Sequence, residues 1–157
     1  RLSGAALVAV SGPVAAKREE AKRLGADICF DPFAVSEDAF VAECEKYNFD
    51  CVIECAGNVK TIGQAIRAAG KKATVMMFGL TKPDDVVSVK PYDVFSKELT
   101  LRSSYINPYT QARALALIES GRVDVVSMLC PAIPLEKLFE VLSDEKMRAK
   151  GKYVVQL

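Results

Sequence analysis

The sequence predicts an α/β fold, a doubly wound parallel sheet with helices on both faces, and two observations carry that expectation. Short apolar runs rich in small and β-branched residues alternate with charged, helix-patterned stretches, the order that builds βαβ units. Turn and cap residues, among them Gly25, Asp31-Pro32, Gly79 and Gly121, fall at the joints between the two kinds of segment.

Taken in order, residues 5–10 (AALVAV) read as a buried strand stopped by Ser11-Gly12-Pro13. Residues 14–24 alternate apolar and charged side chains at helical spacing, and Gly25 follows as a C-cap. Residues 28–30 (ICF) make a second strand. Ser36 then opens a helix reaching Tyr47, with Glu37 and Asp38 in the first turn where the helix dipole favours negative charge. Residues 49–56 (FDCVIECA) read as a third strand, 58–69 as a third helix and 73–78 (ATVMMF) as a fourth strand. Beyond a turn at Lys82-Pro83, residues 86–89 read as an edge strand, 91–97 as a short helix and 99–105 (LTLRSSY) as a fifth core strand. A helix over 108–120 has Pro in its first turn and Gly121 after it. Ile133-Pro134-Leu135, a helix over 136–143 and a last strand over 153–157 complete the chain, which reads as one domain.

Composition narrows the function classes. Lys and Arg number 21 against 20 Asp and Glu, so no net field favours nucleic acid or an anionic membrane as a partner. The sequence lacks any apolar run of about 18 residues or more, and no secretory leader is expected at its start. Five cysteines at irregular intervals suggest a reducing compartment, the cytoplasm. The chain has no histidine, and zinc sites, Ser-His pairs and Cys-His pairs all normally draw on imidazole. No catalytic residue and no metal ligand is therefore assigned within this chain.

In open parallel sheets ligands bind beyond the carboxyl ends of the strands. That rule directs attention to Ser11-Gly12, Asp31-Pro32, Ala56-Gly57, Gly79-Leu80 and Ser104-Tyr105.

Residues 23–27 (RLGAD) with 29–32 (CFDP), then 49–58 (FDCVIECAGN), Gly70 with 75–79 (VMMFG), and 97–104 (KELTLRSS) occur in this order. Together they resemble the cofactor domain of zinc-dependent medium-chain dehydrogenases. The resemblance covers essentially the whole chain, and residues 106–125 are most similar to sorbitol-dehydrogenase-like members. It implies a Rossmann-like domain that holds NAD(P), within a parent enzyme that oxidises an alcohol or polyol with the help of zinc. It also implies that residues 1–5 match the end of a helix after the family's glycine-rich phosphate turn, so the domain is expected to be partial at its N-terminus and the zinc-bearing catalytic domain to lie outside the chain. A sheet without its central strand would expose apolar edges and unpaired backbone groups, and low stability or strand exchange is expected of it.

By the same resemblance, Gly12 stands where the family usually has the acidic residue that binds the adenosine ribose. Its absence removes the repulsion of a 2′-phosphate and tilts the expectation toward NADP, with Lys17 and Arg18 near enough in sequence to meet that phosphate. The alternative is a plain turn glycine and a solvated lysine. Ala56, Gly57, Gly79 and Leu80 would flank the dinucleotide, their small size letting a flat ring approach, unless the glycines merely end strands. Ser104, Tyr105 and Ile106 would meet the nicotinamide carboxamide through their backbone.

Cys51 and Cys55 share one face of a strand and read as lining a buried surface rather than as metal ligands. Cys29 and Cys130 read as core residues, as do Met76, Met77 and Phe78. Glu54, inside an apolar strand, has no role that the sequence supplies. Ala114, Leu115, Leu117 and Ile118 form the apolar side of a helix, and with the edge at 86–89 they suggest a homo-oligomer whose sheet continues across a twofold axis. Two rival classes are a non-catalytic nucleotide-sensing or oligomerisation module and another doubly wound enzyme such as a methyltransferase.

Overall fold

The structure is a computed structural model that describes residues 1–106 and 109–157. Contacts divide the chain into one unit that ends at Pro108 and a second that begins at Tyr109.

In the first unit β1 (Ala9–Ser11) pairs in parallel with β2 (Ile28–Phe30), and α1 (Ala15–Arg23) crosses between them. Gly25, at φ 103°, turns the chain after α1 as its place in the pattern requires. Residues 5–8 stop short of strand pairing, although Asp27 ties them down. Its carboxylate accepts from the Val8 amide and from Arg1, and these contacts hold its pKa below the usual value, the Val8 hydrogen bond first. The helix expected at Ser36 is α2 (Glu37–Glu45), capped by the Ser36 hydroxyl accepting from the Ala39 amide at 3.3 Å. Glu37 and Asp38, read as dipole partners, also pair with Arg67.

The larger sheet of this unit has the order β3-β4-β5, all parallel: Cys51–Glu54, Thr74–Met77 and Thr100–Ser103. α3 (Val59–Ala68) lies on one face of it. Ile62, Ala65, Ile66, Ala69, Ala73 and the fully buried Val75 form the main core, with Val52, Met77 and Leu101 packed against it. A second cluster joins Phe40, Val41, Cys44 and Ala68, flanked by Phe30 and Phe49. Lys97 closes α3 by donating from Nζ to the Arg67 and Ala69 carbonyls at 2.8 and 3.0 Å, which satisfies carbonyls left over at a helix end.

In the second unit α5 (Gln111–Glu119) begins at Gln111, and the Pro108 start expected for it lies outside the described residues. On its apolar side Leu115 and Ile118 are exposed and Leu117 is half-buried. β6 (Ile133–Pro134) pairs in parallel with β7 (Val155–Gln156), so the last strand is shorter than the pattern suggested. α6 (Leu138–Ser143) and α7 (Glu145–Lys150) lie between them in sequence.

Three further expectations are corrected. Residues 86–89 are irregular, not an edge strand, because no neighbouring strand among the described residues offers them a hydrogen-bond ladder. The face of β3 that carries Cys51 and Ile53 is exposed, Ile53 to 59%, because α3 covers the opposite face, where Val52 and Glu54 lie. Phe78 is exposed rather than core, since it sits past the end of β4. Cys29 and Cys130 are half-buried.

Candidate functional site

Parallel register fixes which loops share an edge. Glu54, Met77 and Ser103 are aligned across β3, β4 and β5, so the segments that follow, Ala56-Gly57, Gly79-Leu80 and Ser104-Tyr105, all leave the carboxyl end of this sheet. Ser11 and Phe30 are likewise aligned, which sends Gly12 and Asp31 off the carboxyl end of the smaller sheet. The candidate residues thus fall into two groups on two sheets of the first unit, and no strand pairing among the described residues joins those sheets.

The first two loops of the larger sheet interlock. Gly57 has φ 69°, and a Cβ on it would meet the Leu80 backbone nitrogen at 2.7 Å. A Cβ on Gly79 would come within 2.6 Å of the Gly57 Cα and 2.9 Å of Glu54 Oε2. Both glycines are thus demanded by the contact of one loop with the other, since the space a side chain would need is already filled by backbone.

Glu54, which the sequence left without a role, is the centre of this junction. It is 5% exposed. Its Oε1 accepts from the Ala56 amide at 2.8 Å, the Gly57 amide at 3.0 Å and the Thr61 hydroxyl at 2.7 Å. Its main-chain carbonyl accepts from the Phe78 and Gly79 amides at 2.9 and 2.8 Å. Side chain and backbone of one residue therefore hold both loops. Asn58 caps α3 by accepting from the Thr61 amide at 3.0 Å, and the positive end of the helix favours a carboxylate nearby. A usable signal was present: an acidic residue two and three positions before small residues at a strand end, followed by a capping Asn, supplies an acceptor beside free amides.

Beside the junction opens a groove of about 750 Å³, lined among others by Gly57, Asn58, Lys60, Leu80, Thr81 and Lys82. Leu80 stands 91% exposed on its rim. Ser104 and Tyr105 are exposed, Tyr105 to 83%, and Ile106 has φ 44°. A smaller recess of about 330 Å³ lies beside β2, between Phe30, Asp31, Val35 and Phe40.

On the smaller sheet, the Gly12 amide donates to the Phe30 carbonyl at 3.1 Å, and its own carbonyl accepts from Arg18 at 2.6 Å. Arg18 also pairs with Asp31 at 2.9 Å. Of the two cations near the first strand end, Arg18 is thus committed to bridging the two loops, while Lys17 is exposed. Burial pushes the Cys55 thiol up, and the neighbouring Glu54 charge adds to that. Among the described residues no three His, Cys, Asp or Glu side chains converge as metal ligands do, so the residues present do not fit a zinc ion.

A family profile described as zinc-binding dehydrogenase matches residues 1–120. The chain belongs to the zinc-binding dehydrogenase family. Among curated relatives it is 24% identical to D-arabinitol dehydrogenase 1 of Uromyces fabae over 160 residues, covering 99% of this chain and 46% of that protein. It is 26% identical to sorbitol dehydrogenase of Gallus gallus over 155 residues, covering 96% and 42%. Among solved structures, a zinc-binding dehydrogenase from Sinorhizobium meliloti 1021 bound to NADP superposes with a TM-score of 0.91 at 30% identity, covering 99% of this chain and 46% of that one. The chain therefore spans about half the length of the relatives it matches. The fold is the Rossmann-like α/β type of these dehydrogenases, with small parallel sheets. No helix among the described residues is long and apolar enough to cross a membrane.

Proposed function

We propose that this chain holds the nicotinamide dinucleotide of an alcohol or polyol dehydrogenase. The observation that carries the reading is the pair of interlocked loops at the carboxyl end of β3 and β4, tied through Glu54 and bordered by the groove, the place where open parallel sheets take their ligands. Ala56, Gly57, Gly79 and Leu80 would meet the dinucleotide there, with Ser104 and Tyr105 at the next strand end. Family membership and the NADP-bound relative support this over a sensing or oligomerisation module. The whole protein would move a hydride from a secondary carbinol carbon to the nicotinamide ring, the hydroxyl proton leaving to base or solvent, or run the reverse reduction. Zinc, which in the family polarises the alcohol oxygen, finds no ligand set among the described residues of this chain.

Gly12 adds no negative charge at the end of β1, and Lys17 is exposed in the first turn of the helix that follows. Both support a lean toward NADP, since a 2′-phosphate is drawn to a lysine and meets no carboxylate at Gly12. A homo-oligomer in the cytoplasm also fits this reading: five free cysteines suit a reducing compartment, and Tyr92 and Phe95 on α4 (Pro91–Lys97) stand exposed as apolar surface that a second copy could cover.

The test is a titration of the full-length protein with NADH and NADPH, followed by the fluorescence of the reduced ring, then a survey of polyols and simple secondary alcohols for NAD(P)H production. Binding of either nucleotide with turnover of at least one alcohol is expected. A folded protein indifferent to both nucleotides would sink the proposal.

A further inference from the structure

Glu54 is buried at the carboxyl end of β3, and the hydride chemistry proposed above assigns it nothing. Burying a carboxylate costs free energy unless its oxygens are filled. Here they are filled by the loop itself: the Ala56 and Gly57 amides and the Thr61 hydroxyl donate to Oε1, and the Gly57 amide also reaches Oε2 at 3.2 Å. Among the described residues no cation shares this shell. The single Thr61 hydroxyl proton has a second acceptor, the Asn58 carbonyl at 3.1 Å, but the carboxylate at 2.7 Å is the nearer and carries charge, which makes it the stronger partner.

We propose that Glu54 is a positioning residue for dinucleotide binding: through the Gly57 amide it holds the Ala56-Gly57 turn against Gly79-Leu80, and Thr61 holds Glu54. The inference rests on the dinucleotide reading of the groove. The Glu54 main-chain carbonyl holds the Phe78 and Gly79 amides from the other loop, and Leu80 beyond them is exposed, so among the described residues the Glu54 carboxylate is what fixes the Ala56 and Gly57 amides on the groove wall. The carboxylate sets the shape of the wall, and the core sets whether the sheet is folded.

The experiment uses the full-length protein with Thr61→Val, Thr61→Ser, Glu54→Gln and a core variant, Val75→Ala, each studied at a temperature where circular dichroism shows it folded. NADH affinity is measured by fluorescence titration, and amide hydrogen exchange is followed at Ala56 and Gly57. We expect Thr61→Val, which loses a hydrogen bond to the charged acceptor, and Glu54→Gln, which makes that acceptor neutral for all of its donors, each to weaken NADH binding about tenfold and to speed exchange at those two amides. Thr61→Ser should bind as the parent does, because it keeps the hydroxyl. Val75→Ala should lower the melting temperature and leave affinity unchanged. The inference is overturned if Thr61→Val binds NADH like the parent with its amides equally protected, or if Val75→Ala weakens binding as much as Thr61→Val. Should the parent protein bind neither NADH nor NADPH, the dinucleotide reading fails as well, an outcome separate from the first two.

Discussion

Gly79 stands against Gly57 with no room for a side chain on either, a Cβ on Gly79 falling 2.6 Å from the Gly57 Cα. Contacts of that kind cannot relax by rotating a side chain, because what they meet is backbone. Gly79→Ala should therefore destabilise the protein by about 3 kcal/mol, within the range for strain at a constrained backbone position. Gly12→Ala should be close to neutral, since nothing lies within 4 Å of its Cβ position. Urea denaturation of the two variants beside the parent checks the contrast, and equal effects would contradict it.

Val75 is completely buried between β3, β5 and α3, whereas its neighbour Met76 points to the open face of the sheet and is only half-buried. Truncating Val75 to Ala leaves a void with no atoms to fill it, for a loss of roughly 2 kcal/mol. Met76→Ala should cost clearly less. A reversal of that order in thermal unfolding would mean the sheet is covered on the other face.

Burial, followed by the Glu43 and Glu45 charges, pushes the Cys44 thiol from 9.0 up to about 11. A raised folded pKa means the folded state resists losing this proton, so the contribution to stability is complete below the unfolded value near 9.0 and is lost as the pH rises through about 11. Denaturation midpoints should fall across that window, and Cys44→Ala should flatten the fall. At pH 8 a thiol reagent should modify exposed Cys51 first, Cys55 more slowly and Cys44 last. Early labelling of Cys44, read by peptide mass mapping, would contradict its burial.

Ile53 is 59% exposed on β3, and among the described residues β3 has a strand partner only on its β4 side. An apolar strand with an open edge invites pairing with another chain. The 157-residue chain should accordingly associate as its concentration rises, and Ile53→Lys should reduce that association with little change in the folding midpoint. Sedimentation velocity over a concentration series decides it; a monomer throughout would remove the edge from consideration.

Lys17 is exposed on α1, whereas Arg18 is held by Asp31 and the Gly12 carbonyl. If Lys17 faces a 2′-phosphate, Lys17→Glu should weaken NADPH binding by about tenfold or more in the full-length protein and barely touch NADH. Equal losses for both nucleotides, or none, would leave the lean toward NADP without support.

Most of the secondary structure was legible because its signals are local. Ser36 caps α2 just ahead of two acidic residues, Gly25 turns left-handed after α1, and the strands lie inside the apolar runs, trimmed at their ends, whereas Asn58, read as the first residue of the third helix, proves to be its cap. The loops worth examining were also legible, since in a parallel sheet they must follow the strands. Residues 86–89 show the limit: an apolar run becomes a strand only if another strand is there to pair with it, and no residue within the run reports that.

The sequence by itself determined the alternation of strand and helix, the parallel pairing that follows from it, and the family, through several short motifs in one order. Only the tertiary structure decided which face of β3 is buried. A strand's period of two offers Cys51 with Ile53 on one side and Val52 with Glu54 on the other, and both sides carry apolar residues; packing of Ile62, Ala65 and Ile66 from α3 selected the second. That choice drew Glu54 into the interior, where, among the described residues, the amides of its own loop and the Thr61 hydroxyl fill its oxygens. Local pattern sets a residue's period along the chain, but its partners are set by what lies across from it, and that depends on segments far away in sequence.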